Sequence, residues 1–178
     1  EDVLEEIDAL RSSGTHELFI ADQTFGVRRE RALQLCEEFK ARGDLSWTAF
    51  TRPDLADDEL LSAMSSAGCH TLIMGVESAD DAVLEACLKG YATETVRGAF
   101  ARTRQHGIRT VGTFVVGLPE ETEGSLERSL ELALELDLDF MSINVAVPRF
   151  GTTFRADALA SGLVDPAELV MDQSGATV

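Results

Sequence analysis

Five short, largely apolar runs, at 17–21, 46–50, 70–76, 110–116 and 140–147, are separated by segments whose apolar residues recur at helical spacing. Few folds accommodate that alternation. The intervening patterns predict helices over 30–41, 57–67, 80–87, 94–106 and about 122–136, with Gly43, Gly68 and Gly107 closing three of them. Val3, Leu4, Ile7 and Leu10 place a further helix at the start, with no strand before it. A short helix near 153–161 precedes a weakly patterned tail, so 1–178 reads as one domain with its core over about 5–155 and the tail over 156–178. A strand returning through a helix to the next strand must pair in parallel, which makes the chain α/β. The sheet curves as part of a barrel or forms a doubly wound layer. A complete eight-stranded barrel needs about 250 residues, so 178 residues can supply only part of one.

Charge narrows the partners. Thirty-two acidic against fifteen basic residues give a formal charge of −17, which repels a phosphate backbone and argues against nucleic acid. The densest basic stretch, Arg28-Arg29-Glu30-Arg31, is interrupted by an acid and reads as a solvated helix face. No apolar run approaches the roughly 18 residues that span a bilayer, and the start lacks a signal peptide's basic and then apolar pattern. A soluble, cytoplasmic protein is expected. Cys36, Cys69 and Cys87 stand at wide, unequal spacings, which suggests neither a disulfide framework nor a local metal motif.

In a parallel α/β sheet, ligands lie off the carboxyl ends of the strands. Those ends read Asp22-Gln23-Thr24-Phe25, Thr51-Arg52-Pro53-Asp54, Gly75-Val76-Glu77-Ser78, Gly117-Leu118-Pro119-Glu120-Glu121-Thr122 and Pro148-Arg149-Phe150-Gly151-Thr152. Glu77 closes an apolar run, where a carboxylate can accept two hydrogen bonds from a vicinal diol. The competing reading makes it an acid near a helix start, with Ser78 capping the helix that follows. In the fourth segment Gly117 permits close backbone approach while Pro119 stiffens the turn, and a rigid βα loop explains the same residues. Neither Gly-x-Gly-x-x-Gly nor a Gly-Lys-Thr phosphate loop is present.

Taken in order, these segments resemble the radical S-adenosylmethionine superfamily, and within it the cobalamin-binding branch that includes hopanoid methylases and the anaerobic magnesium-protoporphyrin cyclase. The likeness runs from about Glu5 to Arg155. It rests on Phe19-Ile20-Ala21-Asp22-Gln23-Thr24-Phe25, on Trp47 with Arg52-Pro53-Asp54, on Ala67-Gly68-Cys69 leading to Gly75-Val76-Glu77-Ser78, on Leu88-Lys89-Gly90, and on the run from Gly112 to Thr122. The resemblance implies an incomplete radical S-adenosylmethionine-type barrel. It places Asp22, Gln23 and Thr24 by the methionine amino group, and Glu77 and Ser78 by the ribose. Val115, Gly117 and Glu120 fall on the turn beside adenine, with Glu120 supporting the loop rather than touching the cofactor. Arg52 and Lys89 are candidates for the methionine carboxylate or an anionic substrate, or else form surface ion pairs.

The family's Cys-x-x-x-Cys-x-x-Cys loop, whose three thiolates hold a [4Fe–4S] cluster, does not occur in the sequence. The cysteines read instead as small buried residues, Cys36 and Cys87 in helices and Cys69 at a strand start, so no cluster and no activity are expected of the chain alone. The implied reaction of the longer enzyme is one-electron reduction of S-adenosylmethionine by the cluster, giving methionine and a 5′-deoxyadenosyl radical that abstracts a substrate hydrogen. Its expected partners are a small-molecule substrate and an electron donor such as flavodoxin or ferredoxin, with cobalamin as a further cofactor. Two other readings compete: an aldolase-like or phosphate-binding barrel, and a non-catalytic interaction module. The first needs a strand lysine or a glycine-rich phosphate loop, whereas Lys40 and Lys89 are read as helical.

Overall fold

The computed structural model describes residues 2–165 and 167. Helix α1 (Asp2–Ser12) leads into β1 (Glu17–Ile20), α2 (Arg29–Arg42), β2 (Ser46–Thr51), a 3-10 turn at Pro53–Leu55, α3 (Asp58–Ser66) and β3 (Cys69–Glu77). Then follow α4 (Asp81–Ala86), α5 (Thr93–Gln105), β4 (Arg109–Val116), α6 (Glu123–Glu135), β5 (Phe140–Val145) and α7 (Thr153–Ala160). All five strands pair in parallel in the order β1-β2-β3-β4-β5. The sheet is open, with β1 and β5 at its edges, as expected for part of a barrel.

Period-2 alternation decides which face the helices cover. Trp47, Ala49 and Thr51 on β2, Leu72, Met74 and Val76 on β3, and Thr110 and Phe114 on β4 are buried. Their alternates Phe50, Ile73, Val111 and Thr113 are only partly covered or exposed, and they line the opposite face in register, Phe50 beside Ile73 and Ile73 beside Val111. The covered face is anchored by Trp47, whose ring lies 5.2 Å from that of Phe25 and 5.6 Å from that of Phe39. Its indole nitrogen donates to the Ala67 carbonyl at 2.8 Å, which satisfies the one polar atom this side chain brings into the core. Gly68 turns the chain from α3 into β3 with φ +89, where a side chain would strike the Leu45 carbonyl oxygen at 2.0 Å.

The helix starts follow capping chemistry. Asp57 accepts from the Leu60 amide, Asp80 from Ala82, and Thr122 and Ser125 form a reciprocal capping box. Asp80, not Ser78, therefore caps α4; the shorter reach of Ser78 takes it to the Asp80 amide, to which its Oγ is an acceptor at 3.2 Å. The first and last strands are shorter than the sequence pattern suggests, ending at Ile20 and Val145. Lys89 lies beyond α4 rather than within a helix, and Cys87 is that helix's C-cap and only partly buried. The part of the expected tail at 166 and 168–178 lies outside the described residues. Among the described residues no helix is long and apolar enough to cross a membrane.

Candidate functional site

Parallel pairing puts Asp22, Arg52, Glu77 and Gly117 at one edge of the sheet, because each closes or follows the carboxyl end of a strand. The structure gathers a subset of the expected residues around one cavity of about 300 Å³, bordered by Gln23, Thr24, Arg52, Glu77 and Lys89 together with Phe50, Ile73, Gly75, Tyr91 and Thr113. A larger cavity of about 610 Å³ lies beside β1 and α2 and is bordered by Asp22, Gln23, Thr24 and Arg28. Size alone favours the second. The first is the better candidate, since charged and polar groups from the ends of β1, β2 and β3 and from the loop after α4 meet there beside the apolar side chains of Phe50 and Ile73.

Glu77 is held more firmly than its position in the sequence discloses. Pairing of β3 with β4 breaks register between Gly75 and Glu77, and Glu77 has φ +64. The Ser78 amide donates to the Val76 carbonyl at 2.8 Å, so Glu77 is the apex of a γ-turn of the rare, strained hand. Its carboxylate accepts a hydrogen bond from Lys89 Nζ at 2.6 Å, with the Glu77 side chain 13% exposed. No base neighbours Glu77 in sequence, but the loop after α4 brings one twelve positions on.

Arg52 donates to both carboxylate oxygens of Asp54, at 2.9 and 3.0 Å, and to the Lys89 carbonyl at 2.8 Å. The bond to Asp54 holds its guanidinium above the ordinary range, opposed by burial. Its charge also lies 5.4 Å from the centre of the Tyr91 ring, a contact within cation–π range. Burial pushes the Tyr91 phenol up, and the nearby Glu77 charge pushes the same way; that hydroxyl donates to the Gly75 carbonyl at 3.0 Å. Sequence reading assigned neither Tyr91 nor Gly75 a role. A lone glycine inside a β-branched strand was the available sign, since it marks a bulge or a close approach.

The remaining candidates lie apart from this cavity. Ser78 is 1% exposed and does not border it. Val115 borders an apolar groove of about 220 Å³ between β4, β5 and α6. Gly117, with φ +84, donates its amide to Glu121 Oε2 at 2.5 Å. The Glu121 amide donates to the Leu118 carbonyl at 3.2 Å, with Pro119 and Glu120 between them and Glu120 at φ +63. This is a type II turn. Glu120 is exposed.

The cysteines do not fit an iron–sulfur cluster. They stand apart in the chain, on α2, at the start of β3 and at the end of α4, and burial raises all three thiols above their ordinary range. Among the described residues no three His, Cys, Asp or Glu side chains are grouped to hold a metal.

Comparison with known proteins gives the family and the fold. Over 166 residues the chain is 32% identical to an uncharacterized methyltransferase of Pyrococcus horikoshii, a match covering 92% of this chain and 36% of that protein. It is 29% identical over 152 residues to the anaerobic magnesium-protoporphyrin IX monomethyl ester cyclase of Cereibacter sphaeroides, covering 82% of this chain and 25% of the cyclase. The chain thus spans about a third or less of the length of these relatives. In fold it is similar to the radical S-adenosylmethionine methyltransferase TsrM of Kitasatospora setae, solved with cobalamin and a [4Fe–4S] cluster, with TM-score 0.73, 21% identity, and 82% of this chain and 29% of that one covered. Coproporphyrinogen III oxidase of Escherichia coli, a radical SAM enzyme, superposes with TM-score 0.70 at 18% identity over 98% of this chain and 42% of its own. Residues 1–133 match the Radical SAM superfamily, and the chain belongs to it.

Proposed function

We propose that this chain forms the S-adenosylmethionine-binding wall of a longer radical enzyme, with the cavity at the ends of β1 to β4 as the cofactor site. The observation that carries the reading is the meeting of Glu77 and Lys89, 2.6 Å apart, in one cavity with Gln23 and Thr24. The two charges suit the two ends of that ligand: a carboxylate accepts from a ribose diol, and an ammonium or guanidinium takes the methionine carboxylate. In this reading Glu77 binds the ribose, Lys89 or Arg52 the carboxylate, and Gln23 and Thr24 the amino group, with Asp22 approaching it from the neighbouring cavity that it borders. Ser78 supports Glu77 from behind, and Val115, Gly117 and Glu120 shape the neighbouring turn beside adenine. When bound, the cofactor supplies one-electron chemistry for hydrogen abstraction. The protein's own share is to fix the ligand's two ends and keep water from it.

The cluster's ligands are assigned to another part of the longer protein, since the three cysteines here are unsuited to it, and this chain alone is expected to be inactive. Methyl transfer or cyclisation, a cobalamin partner domain, a flavodoxin- or ferredoxin-like electron donor and a cytoplasmic setting belong to the same proposal, supported by the relatives and neighbours named above. Titrating the ¹⁵N-labelled chain with S-adenosylmethionine tests the site itself. Amide shifts concentrated at Gln23, Thr24, Gly75 and Thr113 are expected. Shifts centred instead on α1 and α3, or none at millimolar ligand, would contradict it.

A further inference from the structure

Strain at Glu77 has to be held by something. A non-glycine residue with positive φ at the apex of a γ-turn is in a strained backbone conformation, and the contacts around it show where the restraint comes from. A methyl group on Gly75 would lie 2.5 Å from Glu77 Oε1 and 3.6 Å from the Tyr91 hydroxyl. The carboxylate is therefore folded back over a bare stretch of backbone, in space that only a glycine leaves open. Tyr91 borders the same space, its hydroxyl donating to the Gly75 carbonyl at the register break. Arg52 fixes the loop that carries Tyr91, by its bond to the Lys89 carbonyl and its contact with the aromatic ring.

We infer that Tyr91 is a positioning residue, which with Gly75 holds the Glu77 carboxylate turned into the cavity; the inference rests on reading that cavity as the cofactor site. Tyr91 is not required to touch the ligand. Its phenol stays protonated, because burial opposes ionisation, so the hydroxyl remains a donor across the working pH range.

The test is a cycle of Tyr91→Phe and Glu77→Ala, singly and together, made in the full-length, cluster-reconstituted protein and read by isothermal titration with S-adenosylmethionine. Tyr91→Phe keeps the ring beside Arg52 and removes only the hydroxyl. Alone it should weaken binding about fivefold, the scale of one neutral hydrogen bond, and in the Glu77→Ala background it should weaken binding no further. A fivefold loss that persists without Glu77, or no loss in either background, overturns the positioning role while leaving the cofactor site standing. If the reconstituted wild-type protein shows no saturable binding, or if Glu77→Ala leaves affinity unchanged, it is the cofactor site that fails. Tyr91 is then still decided by hydrogen exchange at the Ser78 amide, which the γ-turn protects: about fivefold faster exchange in Tyr91→Phe, with α5 unchanged, supports its role, and an unchanged rate overturns it.

Discussion

Two strand ends in this molecule carry a glutamate in nearly the same unfavourable backbone conformation, Glu77 after β3 at φ +64 and Glu120 after β4 at φ +63. Their surroundings differ. Glu120 occupies the third position of a type II turn, is exposed, and among the described residues its side chain has no hydrogen bond or ion pair. Glu77 is 13% exposed in its side chain, paired with Lys89 and laid against Gly75. Turn geometry explains the first, since the third position of such a turn needs positive φ whatever residue stands there. It does not explain the second, where the strained residue is also the one whose side chain is fixed in a cavity. Strain with an anchored functional group points to a site, and strain without one points to a loop.

The glycines beside them divide in the same way and give the most forcing tests. Gly75 is required for space and Gly117 for conformation: a methyl group on Gly75 meets the Glu77 carboxylate at 2.5 Å, whereas one on Gly117 meets nothing nearer than 3.8 Å but sits at φ +84. Gly75→Ala should therefore push the Glu77 side chain aside and weaken S-adenosylmethionine binding by about tenfold or more, roughly 1.4 kcal/mol, with thermal stability little changed. Gly117→Ala should cost about 1–2 kcal/mol of stability, seen as a lower midpoint in urea, with ligand affinity affected far less. Glu120→Gly should gain about 0.5–1 kcal/mol by relieving the turn, measured in the same unfolding series. Smallest in effect, iodoacetamide at pH 8 should label Cys87 slowly and leave Cys36 and Cys69 unlabelled until the chain unfolds. Raised pKa values keep all three protonated below the folded value, and burial blocks two of them. Rapid labelling of Cys69 in the native chain would show a thiolate where the fold places none.

The fold was almost entirely legible because the strands are short apolar runs between helices that repeat at their own period; the parallel order then follows from connectivity. What sequence misjudged lies at element ends. Cys87 and Lys89 fall just past α4, since six residues with a polar face give no clear stop, and Ser78 yielded its capping role to Asp80. Within the site, the strand ends could be read as one edge. The Glu77–Lys89 pair could not, because it depends on how the loop after α4 folds back. Tyr91 escaped notice for the same reason: its hydroxyl finds Gly75 sixteen positions earlier in the chain, and no local pattern records that. The sequence also could not show that Val115, Gly117 and Glu120 stand beside the cavity rather than around it.

The most direct test compares the two glutamates themselves. Calorimetric titration of the reconstituted full-length protein with S-adenosylmethionine should show Glu77→Ala weakening binding by about 1.5–3 kcal/mol, the scale of a lost hydrogen bond to a charged group, while Glu120→Ala changes affinity less than about twofold, as expected of an exposed side chain. Equal affinities for the two variants, or a larger loss at Glu120, would contradict the assignment of the cavity at the end of β3 as the cofactor site.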